Sequence, residues 1–345
     1  MNWAGLRSGT EKLTTLDSFA RPSMSTRPLG LTHWRSGRPL DCPPTLPLTS
    51  YGVDQANDLA QHLLQVDPPI DQVYSSPYYR CLQTISPFVA LKLKKRKDVA
   101  AADTDAAAAG EGGGGKGGPG IRVEAGISEW YGLAPWEHPT SAPLAELTTL
   151  FPAAPLDDQY RSRVVPPRHG ESIAQLHDRV AAAIGAIIEQ SDREGARAIV
   201  LNTHAAVMIA LGRVLTGRMP TSVDEEDFKA FTCGLSIYRR RPSRTPTGVP
   251  QAPPSGNFPV STQSANRNAA WADGSGVCGG WDCQANSDCS FLRGGEERGW
   301  RFSGDEDFVS LGSGTLEDAR AGLGVIVEKG ESSGNNSSQP GRSKL

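Results

Sequence analysis

The sequence predicts an α/β fold, a three-layer α/β/α sandwich around a mainly parallel sheet, and three observations predict it. Strand-like runs alternate with helix-period runs along most of the chain. The clearest helix, Ser172 to Gln190, opens on a capping box of Ser172 and Gln175 and lines Ile173, Leu176, Val180, Ile184 and Ile187 along one face. The run Ala198 to Leu201 is apolar throughout, as in a strand covered on both faces.

In chain order, residues 1–45 mix Arg, Ser, Thr, Pro and Gly with scattered apolar residues and hold no period of 2 or 3.6, so they read as an irregular leader. The main domain spans residues 46–240. Its first helix, Asp54 to Val66, puts Ala56, Leu59, Ala60, Leu63 and Leu64 on one face and stops at Asp67-Pro68-Pro69. Gln72-Val73-Tyr74 reads as a strand. Ser75 and Ser76 then suit a helix N-cap and Pro77 the first turn, which sets Arg80 one turn inside the helix. That helix continues through Leu82, Ile85 and Val89, with Pro87 expected to kink or divide it.

Lys92 to Lys97 is a basic run, read as solvated rather than as a localisation signal or nucleic-acid contact. Residues 98–120 are an Ala- and Gly-rich insertion expected to be disordered. Within it Gly110 to Lys116 satisfies Gly-x4-Gly-Lys, but Gly117 stands where a metal-binding hydroxyl belongs and no strand precedes it, so a nucleotide P-loop is rejected.

Ile121-Arg122-Val123 is a short strand leading to Gly126-Ile127-Ser128-Glu129-Trp130-Tyr131, and the chain is then irregular to about Pro167. Beyond the capped helix, the Ala198 strand ends at His204 and a helix runs through Met208, Leu211 and Leu215 to Gly217. Phe231 to Tyr238 reads as another strand. Residues 241–276 form a linker, 277–311 a C-terminal strand pair completing the domain, and 312–345 a disordered tail.

The 345 residues suffice for a sizeable core, and a formal charge of -3 with pI near 6.1 gives no reason to expect direct nucleic-acid binding. Cysteines are irregularly spaced; Cys278, Cys283 and Cys289 lack the paired spacing of a zinc site and read as free thiols. No run approaches a membrane span and residues 1–30 lack a signal-peptide core, so a cytoplasmic or nuclear protein is expected.

Parallel sheets bind ligands outside the carboxyl ends of their strands, and Ser75, Glu129 and His204 each follow a strand-like segment. Spacing alone favours an ordinary surface ion pair for Arg80 over a guanidinium gripping phosphate.

The segment Ser75-Ser76-Pro77-x-x-Arg80-x-x-Gln83-Thr84 resembles a signature of the histidine phosphatase superfamily, also called phosphoglycerate mutase-like. Leu48-Thr49-x-x-Gly52-x-x-Gln55-Ala56, Ile127-Ser128-Glu129-Trp130 and Asn202-Thr203-His204-Ala205 resemble three more of its segments, in the same order. Glu-Trp-Tyr, Thr-Cys-Gly-Leu-Ser and Gly-Gly-Glu-Glu-Arg-Gly-Trp resemble a fungal branch that includes the small tau subunit of transcription factor TFIIIC.

The resemblance implies hydrolysis of a phosphomonoester through a phosphohistidine, with no metal or organic cofactor. The implied partner is a phosphorylated small molecule or phosphoprotein. It further implies Arg80 as phosphate clamp, Glu129 as general acid and His204 as a phosphate-binding histidine. To act as an acid near neutrality Glu129 needs its pKa raised by burial, which Trp130 and Tyr131 are expected to provide.

One member is missing: no apolar strand ending in Arg-His-Gly precedes Leu48, so the nucleophile is unknown. His169, in Arg168-His169-Gly170, follows two prolines unsuited to a central strand and abuts the Ser172 cap. His33 has the right order in the chain but the wrong neighbours. The missing strand should lie centrally in the sheet. Either leader residues substitute for it or the native polypeptide begins differently, and the second is the expectation. The alternative function is a catalytically inactive binding subunit, such as a component of a TFIIIC-type transcription complex.

Overall fold

A computed structural model describes residues 10–17, 47–102, 120–133, 137–221, 225–242 and 271–302. His33, the P-loop-like run, most of the expected insertion and linker, and the whole expected tail lie outside the described residues. The strands are β1 (Lys12–Asp17), β2 (Gln72–Ser75), β3 (Ile121–Val123), β4 (Ala198–Thr203), β5 (Leu235–Arg240) and β6 (Trp281–Asp288). The helices are α1 (Ser50–Leu63), α2 (Tyr79–Ala102), α3 (Leu144–Leu150), α4 (Ile173–Arg193) and α5 (Ala205–Thr216).

One six-stranded sheet runs in the order β3-β2-β4-β1-β5-β6. Strands β3, β2, β4 and β1 are mutually parallel, and β5 pairs antiparallel to both β1 and β6. Because side chains alternate along a strand, β4 divides its apolar residues between two faces. Ile199 and Leu201 pack with α4 and α5, whereas Ala198 and Val200 pack with α1, α2 and α3. The result is the expected three-layer sandwich.

The leader corrects the reading of residues 1–45. Lys12–Asp17 form a strand in the central position between β4 and β5, with Leu13 opposite Ile199 and Asp17 opposite Thr203. Leader residues therefore fill the place of the strand thought to be missing, the first of the two alternatives, rather than the favoured one of a polypeptide that begins differently. The strand is short, and Thr14 and Thr15 stand where a central strand normally carries aliphatics, which hides it from an apolar pattern search. Both threonines are buried, and neither hydroxyl has a hydrogen-bond partner among the described residues.

Other boundaries move for identifiable reasons. Helix α1 starts earlier than expected because Thr49 caps it, accepting from the Gly52 N–H at 3.1 Å. Helix α2 begins at Tyr79 rather than at Pro77, and it runs through Pro87 without dividing. Buried Leu82 and Ile85 before the proline and Phe88 and Val89 after it join one core cluster, so packing on both sides holds a single helix. It also extends through Ala102, into the start of the stretch expected to be disordered.

The stretch before Pro167 is not wholly irregular, since α3 buries Leu147 in the α1/α2 layer. Strand β5 starts at Leu235, because Phe231 to Gly234 turn first, with Cys233 at φ 57°. The expected C-terminal strand pair is, among the described residues, the single strand β6. Helix α4 keeps the expected capping box and apolar face, and Gly217 ends α5 in the left-handed region at φ 75°. No helix among the described residues is long and apolar enough to cross a membrane.

Candidate anion site at the strand carboxyl ends

Three parallel strands deliver the site. Past β2, Ser76 and Tyr78 lead into α2, whose second residue is Arg80. Past β3, a 3-10 turn at Ala125–Ile127 leads to Glu129. Strand β4 ends at Thr203, and His204 occupies the N-cap position of α5. Arg80, Glu129 and His204, the residues singled out in sequence, thus converge.

Arg80 Nη2 donates to Glu129 Oε2 at 2.7 Å, and His204 Nδ1 lies 3.1 Å from the same oxygen. His204 Nε2 is 2.8 Å from Ser76 Oγ, and the Cys81 sulfur is 3.5 Å from Nε2. The Tyr78 ring meets the imidazole edge-on at 5.3 Å, with the Arg80 guanidinium 5.2 Å from the Tyr78 centroid. Tyr78 is fixed in turn: its hydroxyl donates to the Pro139 carbonyl at 2.9 Å and accepts from Tyr131 at 3.0 Å. The His204 side chain is sealed at 0% exposure, whereas Arg80 and Glu129 keep 16% and 14%.

The electrostatics reverse one expectation. Burial does act to raise Glu129, but His204 and then Arg80, helped by the Trp130 N–H, outweigh it and hold the carboxyl down at about 2. Glu129 is therefore a carboxylate here, not the neutral acid expected from its aromatic neighbours. Burial works against a charged His204, yet the Cys81 sulfur and the Glu129 carboxylate raise it to about 9. With both ring nitrogens protonated, Nε2 donates to Ser76 Oγ and Nδ1 to Glu129. Arg80 and the charged His204 thus share the one Glu129 carboxylate at the strand ends.

The loop carrying Glu129 is braced from three sides. Thr203 Oγ1 donates to the Ile127 carbonyl at 2.7 Å, Glu124 accepts from the Gly126 N–H at 2.8 Å, and buried Arg179 donates to the carbonyls of Gly126 at 2.8 Å and Ser128 at 3.1 Å. A Cβ on Gly126 would stand 2.6 Å from that of Ala183 in α4, so only glycine allows this close approach.

The nucleophile candidates fare differently. His169 is exposed in the turn before α4, and its Arg-His-Gly setting has a structural reason. Gly170 sits at φ 76°, and a Cβ there would lie 1.7 Å from the Gly132 carbonyl oxygen. His33 lies outside the described residues. His62 stacks on Phe291, His138 on Tyr131 and His177 on Trp271. At the end of β1, opposite Thr203, the sequence reads Asp17-Ser18 with no histidine.

Sequence reading missed Ser76, Tyr78 and Cys81 as neighbours of His204. Ser76 had the composition of a helix cap, and only the approach of β4 to β2 turns its hydroxyl toward a ring nitrogen.

The sequence profile of the histidine phosphatase superfamily (branch 1) matches residues 30–106 and 101–247, well over half of the chain. The chain belongs to this superfamily. Transcription factor tau 55 kDa subunit of Saccharomyces cerevisiae is 26% identical over 266 residues, covering 74% of this chain and 52% of that protein. Ecdysteroid-phosphate phosphatase of Drosophila melanogaster is 31% identical over 182 residues, covering 52% of this chain and 21% of that protein. The chain thus spans about half of the first relative's length and about a fifth of the second's. Among solved structures, the ecdysone phosphate phosphatase of Bombyx mori in complex with tungstate aligns over 72% of this chain and 98% of its own, at 18% identity and TM-score 0.46. The three residues that the resemblance singled out, Arg80, Glu129 and His204, stand together here, and β1 carries no histidine.

Proposed function

We propose that this superfamily member binds a phosphate group, as a phosphomonoester on a small molecule or phosphoprotein, at Arg80 and His204, and serves as a binding subunit. The observation that carries this reading is the convergence of a guanidinium and a charged imidazole at the strand carboxyl ends, beside a first strand that ends in Asp17 rather than histidine. Arg80 Nη2 and His204 Nδ1 stand 3.1 Å apart, a spacing at which two planar donors suit two phosphoryl oxygens. The tau subunit relative, named as part of a transcription factor, supports a transcription complex as the setting and the nucleus as the compartment.

The rival reading is hydrolysis through a phosphohistidine, with Arg80 as clamp and Glu129 as acid. It is favoured by the retention of all three residues in contact, and its attacking group is unknown, with His33 and His169 as the candidates. Two assays on the purified full chain separate them. Retention of phosphate that Arg80→Ala abolishes, without turnover of an aryl phosphate, supports the binding subunit. Turnover abolished by His204→Ala and by His33→Ala or His169→Ala supports the hydrolase. Neither binding nor turnover would refute both.

A further inference from the structure

Glu129 occupies the place an anion would take. Its Oε2 accepts from Arg80 Nη2 at 2.7 Å and from His204 Nδ1 at 3.1 Å, and its Oε1 accepts from the Trp130 N–H at 3.2 Å. Those donors are the ones a phosphoryl oxygen would need. The charged or titratable groups facing this carboxylate are Arg80 and Cys81 from α2, Tyr78 before it, Tyr131 from the loop after it, and His204 at the head of α5. None of them except Arg80 and His204 supplies positive charge.

A dianion arriving here therefore meets an ionised carboxylate already holding both cations. Two outcomes are physically open. If Glu129 stayed charged, two anions would share one buried site, and at hydrogen-bonding separations that repulsion costs several kcal/mol even at an effective dielectric of about 20. If Glu129 takes up a proton, its carboxyl leaves the cations and can donate one hydrogen bond to the incoming oxyanion. The backbone leading into Glu129 is held, because Arg179, Thr203 and Glu124 bind residues 126–128, so release from the cations is a turn of the side chain and not a swing of the loop.

We propose that Glu129 is a built-in counter-anion that gates the phosphate site, and that binding of a phosphate-like dianion takes up a proton at Glu129. The inference rests on the phosphate-binding reading above and deepens it: the site admits anions most readily at low pH and holds them off as pH rises. Free Glu129 is ionised across the neutral range, and displacement from Arg80 and His204 beside a new anion moves its proton affinity upward. Affinity accordingly falls with rising pH wherever the bound state holds the extra proton.

The test is calorimetric titration of the full-length protein with sulfate, which remains a dianion throughout, in two buffers of different ionisation enthalpy at pH 6. The gate predicts net proton uptake on binding by the wild type. It also predicts at least 10-fold tighter binding with the uptake abolished in Glu129→Gln, whose amide keeps the shape without the charge. Sulfate binding that depends on Arg80 but takes up no proton in the wild type would overturn the gate and leave the phosphate-binding reading standing. Sulfate that binds neither wild type nor Glu129→Gln, or binds both equally well after Arg80→Ala, would overturn both. The wild-type proton count does not depend on the variant folding.

Discussion

Arg179 and Glu171, eight positions apart, form a bidentate ion pair in the protein interior, with Arg179 Nη2 2.5 Å from Glu171 Oε1 and Nε 3.0 Å from Oε2. Their side chains are 3% and 4% exposed. The same guanidinium holds the loop that presents Glu129, and the Glu171 carbonyl accepts from the Trp130 indole at 2.8 Å. One buried pair therefore braces the acidic corner of the site from behind. Arg179→Leu strands the Glu171 carboxylate, and a loss of about 3–5 kcal/mol is expected in urea unfolding. Phosphate binding should weaken as well; unchanged stability would deny the pair this role.

The central strand carries a defect that can be repaired. Thr14→Val removes a buried hydroxyl without a partner among the described residues and keeps the shape of the side chain, so a gain of about 1 kcal/mol is expected. A loss instead would mean that the hydroxyl is needed. A neutral result would argue against a central place for residues 12–17.

His177 should make the protein acid-sensitive. Nearly all of its surface is buried, Nδ1 donates to the Ile173 carbonyl at 2.7 Å and Nε2 has no partner among the described residues, and burial first of all drives its pKa down from 6.5 to about 4. The neutral form is the one the fold prefers, so this contribution is full above 6.5 and is lost as pH falls toward 4. It amounts to about 3 kcal/mol. Melting curves at pH 7 and pH 4 should differ by less in His177→Gln than in the wild type.

His204 titrates in the opposite sense. Its raised pKa, about 9, means that its stabilising contribution is complete below 6.5 and is lost as pH rises through 9, while that of Glu129 is present above 4.5 and is lost as pH falls toward 2. The pair is at full strength between those limits. Proton NMR should find one histidine still protonated at pH 8, and His204→Gln should remove that signal. Ser76→Ala takes away the nearer of two Nε2 partners, leaving the Cys81 sulfur, and should lower the His204 pKa without unfolding the protein.

Much of this molecule could be read without coordinates. Helix α4 announced itself through Ser172, Gln175 and its apolar stripe, and β4 through four consecutive apolar residues, because both signals are local. Arg80, Glu129 and His204 were nameable because each follows a strand, and parallel strands bring their carboxyl ends together. Strand β1 was illegible: a six-residue strand with two buried threonines owes its place to the neighbours that pair with it on both sides, not to its own pattern. Pro87 was misread for the same reason, since packing along α2 overrode the local tendency to break.

The chemistry divides in the same way. Sequence by itself determined which polar residues stand at the strand ends, and that no histidine closes the strand now seen at the centre of the sheet. The charge states were decided by tertiary structure alone. A carboxyl group among aromatic residues would be expected to hold its proton, but an imidazole and a guanidinium placed at hydrogen-bonding distance by two other strands outweigh burial and leave Glu129 ionised. Electrostatic energy depends on separation in space, and residues 49 and 124 positions apart acquire that separation only when the sheet assembles.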